Sequence, residues 1–286
     1  MAYLDAIVQG ILLGGLYALF AAGLSLIFGV MRLVNIAHGD FIVLGAYLAL
    51  VTIQTTGLHP FLSLIIVVPL MAGAGYAIQR GLLNRTLGPN LLPPILVTFG
   101  LAVVIQNTLL TVFSSDTRRL APGGIETASL SLGPISIGWL PLLTFLIAVV
   151  MIGAMELLFY RTAMGRAFRA TSDDAEMARA IGVNTRHVHA LAMALSFAVI
   201  AVAGVFLAAR SNFDPFSGPA RLIFGFEAVI IGGLGSLWGT LAGGIVLGIA
   251  QALGAQISPA MQILAGHLVF FLILAVRPRG LFPRMD

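Results

Sequence analysis

The chain has 286 residues, of which 59% are hydrophobic and only 9% are charged. A soluble domain carries about 25% charged residues, so this composition excludes a soluble globular protein and predicts an integral membrane protein. All 15 basic residues are arginines gathered at the ends of apolar segments, which is the distribution of membrane proteins and not a nucleic-acid-binding patch. The absence of cysteine excludes a disulfide framework and a thiolate metal site.

The apolar segments predict an all-α, polytopic transmembrane bundle that forms one domain over residues 1–286. They lack the strand-length alternation of a β-barrel, and the 33 glycines suit closely packed membrane helices. The first segment follows no basic n-region, so we expect no cleaved signal peptide. The predicted segments are 4–30, 41–53, 61–77, 91–113, 139–159, 191–209, 222–253 and 261–276.

The segment 222–253 is interrupted by the glycine-rich run GGLGS at 232–236. As one helix it would be about 48 Å long, whereas the hydrocarbon core is about 30 Å thick. We therefore predict two half-length helices that meet inside the membrane, which gives about 8–10 membrane segments in all. This arrangement places Arg277, Arg279 and Arg284 on the cytoplasmic side, as the charge rule requires.

The side of the N-terminus has two solutions. Counting back from the arginine-rich loop 161–189 places residue 1 outside and Arg32 inside. If residues 30–40 instead formed a second broken element, the N-terminus would lie inside. The pattern leaves both alternatives open.

The loop 161–189 is the longest polar interruption and holds five arginines. Asp173 is predicted to cap the start of a short helix, with Glu176 three residues later as in a capping box. Gly182 is predicted to end this helix in a left-handed turn. Three apolar residues share one face of this helix at helical spacing: Met177, Ala178 and Ile181. A basic loop that only sets topology is the simpler alternative, but the caps and the apolar face favour a docking helix at the membrane surface.

Polar residues inside apolar segments are functional candidates, because they are costly in a membrane. The candidates for a translocation path are Asn35, His38, Asp40, Gln106 and Glu227. The first three can instead cap helix ends, and Gln106 can instead join two helices by a hydrogen bond. Glu227 faces a cavity or a neighbouring subunit, or else lies near the headgroups.

The sequence contains none of the common catalytic motifs. It has no H-E-x-x-H, no Walker A loop, no G-x-S-x-G and no acidic pair within a span. Without a phosphate-cradling loop the chain is not expected to hydrolyse ATP, so another subunit would have to supply that activity. We therefore expect a chain that is not an enzyme and that has no metal or cofactor of its own.

Four stretches of the sequence carry a family resemblance. They are GLYALFAAGLSLIFGVMRLVNIAHGDFIVLGAY (15–47), GRAFRATSDDAEMARAIGVN (165–184), and IIGGLGSLWGTLAGGIVLGI (230–249) with the later RPRGLF (277–282). In this order, and over nearly the whole chain, they resemble the LivH-type permease subunits of branched-chain amino acid ABC transporters.

The resemblance implies a type II-like importer permease in the bacterial or archaeal cytoplasmic (inner) membrane. A second, LivM-like permease would pair with it, two ATPase subunits that bind ATP-Mg would lie beneath, and an extracytoplasmic binding protein would deliver substrate. Amino acids are the expected substrates, with urea or short amides as the alternative. The implied ATPase-coupling residues are Gly165, Arg166, Arg169, Asp173, Asp174, Met177, Ala178, Ile181 and Gly182. The implied contacts with the binding protein are Arg118, Arg119, Asp214 and Arg221.

Three other classes of protein compete with this reading. An ion-coupled secondary transporter also has broken helices and polar residues at mid-depth, but it needs no docking helix between arginine clusters. A passive channel would require a polar stripe along a span. A membrane enzyme would require a cluster of catalytic residues.

Overall fold

The computed structural model describes residues 2–88, 90, 92–132 and 135–282. Arg284, for which the sequence predicts a cytoplasmic position, lies outside these residues. The described helices are α1 (Ala2–Met31), α2 (His38–Thr56), α3 (Leu64–Gly81), α4 (Leu92–Phe113), α5 (Trp139–Arg161), α6 (Ala163–Asp173), α7 (Ala175–Ala180), α8 (Thr185–Arg210), α9 (Gly218–Gly232), α10 (Leu237–Ile257) and α11 (Met261–Val276). The strands β1 (Ser129–Leu132) and β2 (Ile135–Gly138) form an antiparallel hairpin before α5.

Seven of these helices are long and apolar enough to cross a membrane: α1, α2, α3, α4, α5, α8 and α10. α11 is a shorter apolar helix of 16 residues, and α9 has 15 residues. The prediction of an all-α, polytopic bundle is confirmed. Together these helices make nine segments in the described part of the chain, within the predicted 8–10.

α1 is the central helix, and it packs against α5, α8, α9 and α10. Glycines let the backbones of α1 and α10 meet directly. A β-carbon added at Gly14 would lie 2.5 Å from the Cα of Ile245, and one added at Gly248 would lie 2.2 Å from the carbonyl oxygen of Gly10. A β-carbon at Gly244 would approach the carbonyl oxygen of Gly14 to 2.6 Å. The predicted role of these small residues in helix packing is therefore confirmed.

Two hydrogen bonds fix the direction of α1 relative to the arginine-rich loop. Arg210, at the end of α8, donates to the carbonyl of Leu12 at 3.1 Å. Ser172 of α6 donates to the carbonyl of Gly29 at 2.6 Å. The start of α1 therefore lies on the side opposite to α6, which agrees with the alternative that places residue 1 outside. Ten of the fourteen described arginines then fall on the side of the loop, as expected for the cytoplasmic side.

The polar interruption after α1 turns the chain back into the bundle. α1 ends at Met31, Arg32 has a positive φ of 51°, and residues 32–37 are not helical. α2 then begins at His38, whose Nε2 lies 2.8 Å from the carbonyl oxygen of Phe20, well inside α1. The start of α2 is thus at mid-depth in the bundle.

The predicted break in the segment 222–253 is present between α9 and α10. Gly233 and Gly235 adopt positive φ values of 109° and 80°, which glycine tolerates best. The prediction of two half-length helices is correct only for α9. α10 has 21 residues, about 31 Å, and is long enough to cross the membrane alone. The difference arises because the break lies beside Gly29, near the inner end of α1, and not at mid-depth.

The segment RPRGLF closes the inner end of α9. The N–H groups of Leu281 and Phe282 donate to the carbonyls of Ile231 and Gly232, at 2.8 and 2.9 Å. Gly280 has a positive φ of 80°, and a β-carbon there would lie 2.6 Å from Gly233. The segment thereby satisfies carbonyl groups that the end of a helix leaves without partners.

The α1–α10 contact predicts that Gly244→Leu destabilises the protein, because the new side chain meets backbone atoms that cannot move aside. We expect a loss of about 1–3 kcal/mol or more, measured as a lower unfolding temperature of the detergent-solubilised protein. Gly153→Leu is the matched control, since the space around Gly153 in α5 is open. Equal unfolding temperatures for the two variants would contradict the proposed packing.

Candidate coupling and translocation sites

The loop 161–189 forms two short helices, where the sequence predicted one. The unpredicted helix α6 begins after Thr162, whose Oγ1 accepts a hydrogen bond from the N–H of Gly165 at 3.1 Å. Its buried residues are spaced by three along the helix, at Gly165, Phe168 and Thr171. α6 therefore lies with one face against the membrane-spanning helices.

α7 is capped by Asp174 and not by Asp173. The carboxylate of Asp174 accepts hydrogen bonds from the N–H groups of Glu176 and Met177, both at 2.9 Å. The prediction that Asp173 caps this helix is wrong, because Asp173 is the last residue of α6. Asp174 has the extended backbone of a cap residue, with φ at −150°.

The end of α7 is the predicted left-handed turn. Gly182 has a φ of 92°, and its N–H donates to the carbonyl of Arg179 at 3.0 Å. The N–H of Val183 donates to the carbonyl of Ala178 at 2.9 Å. These two bonds form the Schellman motif, so both ends of a helix of only six residues are closed by local hydrogen bonds.

The exposed surface of α7 carries two apolar side chains one turn apart. Met177 is 62% exposed and Ile181 is 73% exposed. Ala178, predicted to share this surface, is only 3% exposed and packs inward. The prediction is therefore wrong for Ala178, because α7 turns its small residue toward the rest of the chain.

α6 is fastened to the inner end of α5. A β-carbon at Gly165 would lie 2.2 Å from the carbonyl oxygen of Phe159, so only glycine allows this approach. The guanidinium of Arg169 donates to the same carbonyl and lies 5.2 Å above the ring of Tyr160. Gly165 and Arg169 thus make contacts within this chain, between α6 and α5.

The other charged residues of the two helices point outward. Arg166, Asp173 and Arg179 are exposed, and Arg179 lies 4.0 Å from Glu176 in an exposed pair. With the bond from Ser172 to Gly29, α6 is joined to both α1 and α5. We call α6 and α7 together the platform, which lies beside the inner ends of α1 and α5.

The polar residues at the start of α2 are packed inside the chain. Asn35 and His38 are buried, and the Oδ1 of Asn35 accepts from the N–H of Ala37 at 3.1 Å. The N–H of Ile36 is bonded to Thr98 of α4 at 3.3 Å. In this conformation Asn35 stabilises the turn before α2 and His38 bonds the start of α2 to α1, although neither side chain caps α2. Their place in a translocation path stays a prediction.

Asp40 and Gln106 form a bond between two helices. The amide of Gln106 in α4 donates to the carboxylate of Asp40 in α2 at 2.8 Å. Asp40 is buried, and the backbone of Gly218 at the start of α9 packs against it. Gln106 therefore has the interhelical role that was the alternative to a substrate path. α9 begins here, about two-thirds of the way along α4.

An open apolar groove with a volume of about 700 Å³ lies between α9 and α11. Glu227 belongs to its wall and is buried, with only 5% of its side chain exposed. Glu227 and His267 are the only ionisable side chains of its wall, and Oε1 of Glu227 lies 2.5 Å from Nδ1 of His267. The remaining lining residues are Val34, Leu222, Ile223, Phe226, Leu264, Phe270 and Phe271. We call this feature the apolar groove. It combines an apolar wall with one hydrogen-bonded acid–histidine pair.

Behind the apolar groove, aromatic and polar side chains connect four helices. The ring of Phe224 in α9 is 6.4 Å from that of His267 and 5.1 Å from that of Tyr17 in α1. The hydroxyl of Tyr17 donates to Oε1 of Gln251 in α10 at 2.5 Å. The pair in the groove is therefore backed by α1 and α10, the two helices held by glycine contacts.

The sequence did not lead us to select His267 as a candidate. The rule that selected Glu227, that polar residues inside apolar segments are functional candidates, applies to His267 equally. A histidine within the apolar segment 261–276 is an ionisable group inside a span. The pairing itself could not be read from the sequence, because 40 positions separate the two residues. Among the described residues, no group of three or more acids and histidines is placed to hold a metal ion.

The external loops meet through backbone pairing. Arg118 and Phe213 exchange two hydrogen bonds, at 2.8 and 2.9 Å. The side chains of Arg118 and Arg119 remain partly exposed, and Arg119 is paired with Glu126. Of the other two predicted contact residues, Asp214 is engaged in a local turn, where it bonds Phe216 and Ser217. Arg221 is partly buried within α9 and its Nε is enclosed.

The chain resembles several proteins with assigned transport roles. It is 29% identical over 99% of its length to BraD, a high-affinity branched-chain amino acid transport system permease protein of Pseudomonas aeruginosa, and covers 97% of that protein. It is 29% identical to LivH of Escherichia coli over 99% of its length and 96% of LivH. Similarity to LivM of Escherichia coli, at 27% identity, covers 94% of this chain and 68% of LivM.

Among solved structures, PsaBC from Streptococcus pneumoniae in complex with Fab is similar over 95% of this chain and 91% of its own. The identity is 14% and the TM-score is 0.49, too low to establish a shared fold. The family described as branched-chain amino acid transport system / permease component matches residues 6–277. This match spans the platform of α6 and α7 and the apolar groove, and the chain belongs to that family of membrane-spanning permeases.

Proposed function

We propose that this chain is the permease subunit of an ATP-driven importer for branched-chain amino acids. The observation that carries the proposal is the doubly capped helix α7, which exposes Met177 and Ile181 on a platform fixed to α1 and α5. An ion-coupled secondary transporter has no use for such a helix. Partner ATPases would supply the hydrolysis that a chain without a Walker A loop cannot perform.

The ATPase contact would use both kinds of surface on the platform. Met177 and Ile181 would enter an apolar cleft on the surface of the ATPase. The exposed charges of Arg166, Asp173 and Arg179 would form a polar rim around this contact. Gly165 and Arg169 would transmit movement, because they join α6 to α5. ATP binding can shift the permease only if the ATPase holds α7 differently in its open and closed states.

The apolar groove is our candidate for this chain's half of the translocation path. Its apolar wall suits the aliphatic side chain of a branched-chain amino acid, and the carboxylate of Glu227, which in this conformation is bonded to His267, would suit its ammonium group. A second permease would close the open side. Urea and short amides fit less well, since they have no apolar side chain to place against the wall.

The partner permease is proposed to be LivM-like. The chain matches LivH over nearly the whole of both proteins, but covers only 68% of LivM. The chain would therefore take the LivH position in a heterodimer in the cytoplasmic (inner) membrane. Arg118 and Arg119 on the outer loops are the proposed contacts for an extracytoplasmic binding protein.

Purification of the intact complex tests the assembly. We expect mass spectrometry of the complex, isolated through this chain in mild detergent, to recover two ATPase subunits and a second permease in stoichiometric amounts. Recovery of this chain alone, with solute transport in liposomes that does not require ATP, would instead support a secondary transporter.

Variants of α7 test the coupling role. Met177→Asp and Ile181→Asp should fold normally, because both side chains are largely exposed, but should reduce ATPase recovery and uptake at least tenfold by placing charge in an apolar contact. Ile257→Asp is the matched control, since Ile257 is 78% exposed at the outer end of α10. Normal uptake by both α7 variants would contradict docking.

The cap of α7 gives a second, independent test. Asp174→Ala removes both cap hydrogen bonds, which costs about 1 kcal/mol, and should lower coupled uptake as α7 frays. Asp174→Asn keeps a side-chain acceptor and should retain uptake. If the Asn variant were as defective as the Ala variant, the charge and not the cap would be the required feature.

Glu227→Gln tests the groove. The variant keeps the size of the side chain but loses the charge, and we expect uptake to fall about 10–100-fold while the subunits still assemble, as for the loss of a charge-assisted hydrogen bond of about 1.5–3 kcal/mol. Uptake in proteoliposomes is the measurement. Glu156→Gln in α5 is the control carboxylate outside the groove and should transport normally. Unchanged uptake by Glu227→Gln would remove Glu227 from the path.

A further inference from the structure

A second cavity lies on the cytoplasmic side, away from the apolar groove and from the exposed side chains of α7. Its volume is about 600 Å³, and we call it the basic recess. It is lined by Arg80, Asn84, Arg85, Leu87, Asn184 and Arg186. Three guanidinium groups from chain segments about 100 residues apart thus surround one space.

The walls of the basic recess are joined by hydrogen bonds. The amide of Asn84 donates to the carbonyl of Arg186 at 3.0 Å, and the amide of the buried Gln79 donates to Asn84 at 3.0 Å. Tyr76 and His187 are hydrogen-bonded at 2.9 Å between α3 and α8. The spacing of the arginines therefore depends on tertiary contacts and not on a free loop.

Within the described part of the chain, no carboxylate balances this charge. Among the described residues, none of the three arginines has a carboxylate within 4.0 Å. The sequence contains no acidic residue between Asp40 and Asp116, or between Glu176 and Asp214. The N-terminus of α8, capped by Asn184, adds the positive end of a 26-residue helix to the same recess. An anionic ligand can supply the counter-charge that the described residues lack.

We propose that the basic recess binds the phosphate headgroup of an anionic phospholipid from the cytoplasmic leaflet. Arg80 lies in the last turn of α3 and Arg186 in the first turn of α8, which is the depth of the headgroups beside membrane-spanning helices. Leu87 lines the recess, and Leu82 nearby in the chain is exposed, so apolar surface is present for the start of an acyl chain. Arginine forks match phosphate oxygens in two-point hydrogen bonds.

The ligand would also join parts of the chain that function together. α8 follows directly on α7, and α3 packs along α8. A phosphate held between Arg85 and Arg186 would brace the inner end of α3 against the base of the platform. This inference does not depend on the identity of the transported solute.

The test measures lipid retention by the purified complex. In native mass spectrometry after exposure to equal amounts of phosphatidylglycerol and phosphatidylethanolamine, we expect the wild-type complex to retain phosphatidylglycerol preferentially. Each of Arg80→Gln, Arg85→Gln and Arg186→Gln should weaken that preference about fivefold, as for one arginine near an anionic surface, and the combined variant should abolish it. Arg279→Gln, an exposed arginine on the same side but outside the recess, is the matched control and should behave as wild type.

Three results would overturn the proposal. Undiminished retention by the combined variant would place the lipid elsewhere. Displacement of phosphatidylglycerol from the wild-type complex by inorganic phosphate at equal concentration would assign the recess to a soluble anion. Loss of the ATPase subunits from the variants, with lipid retention unchanged, would assign it to a protein contact. The single variants keep the test valid if the combined variant does not fold.

Discussion

Direct backbone contact along α1 is the constraint on which the rest of the structure depends. Membrane helices gain little from burying apolar side chains that lipid would solvate equally well, so close van der Waals packing has to hold them together. Glycines supply it on two sides of α1: Gly10 and Gly14 meet α10, and a β-carbon at Gly23 would lie 2.8 Å from the hydroxyl of Ser196 in α8. These contacts fix α1. Both α9, which forms part of the groove, and α6, which forms part of the platform, pack against α1.

α1 also connects the two proposed working parts. Its inner end receives the hydrogen bond from Ser172 of α6, and the backbone at Phe20 faces Gly225 of α9. We interpret α1 as the shortest mechanical route between a movement imposed on α7 and the wall of the apolar groove. The route consists of the hydrogen bond between Ser172 and Gly29 and the backbone contact between Phe20 and Gly225. Few flexible side chains lie along it. Such contacts favour movement of whole helices over local adjustment.

The sequence was sufficient where a single local pattern determines the result. The run 232–236 identified the break before α10, and Gly182 identified the end of α7. Adjacent aspartates at 173 and 174 offer the same capping signal, and the choice between them depends on where α6 ends. The pairing of Glu227 with His267 and the inward position of Ala178 follow from helix placement, which residues far apart in the chain decide. Local periodicity carries no information about the pairing, although the step of about 100° between successive helical residues already separates Ala178 from Met177.

The segment at 277–282 has a consequence for the order of events during synthesis. α9 emerges from the ribosome before the residues that bind its last carbonyl groups, Leu281 and Phe282. Until those residues arrive, the inner end of α9 has to remain near water or be held by the insertion machinery, because open carbonyls are unfavourable in lipid. The hydrogen bonds at the inner end of α9 are therefore completed only after α10 and α11 have been synthesised. If the chain left the insertion machinery before these residues were made, its early helices would be complete. The wall that α9 contributes to the apolar groove would still lack the hydrogen bonds at its inner end.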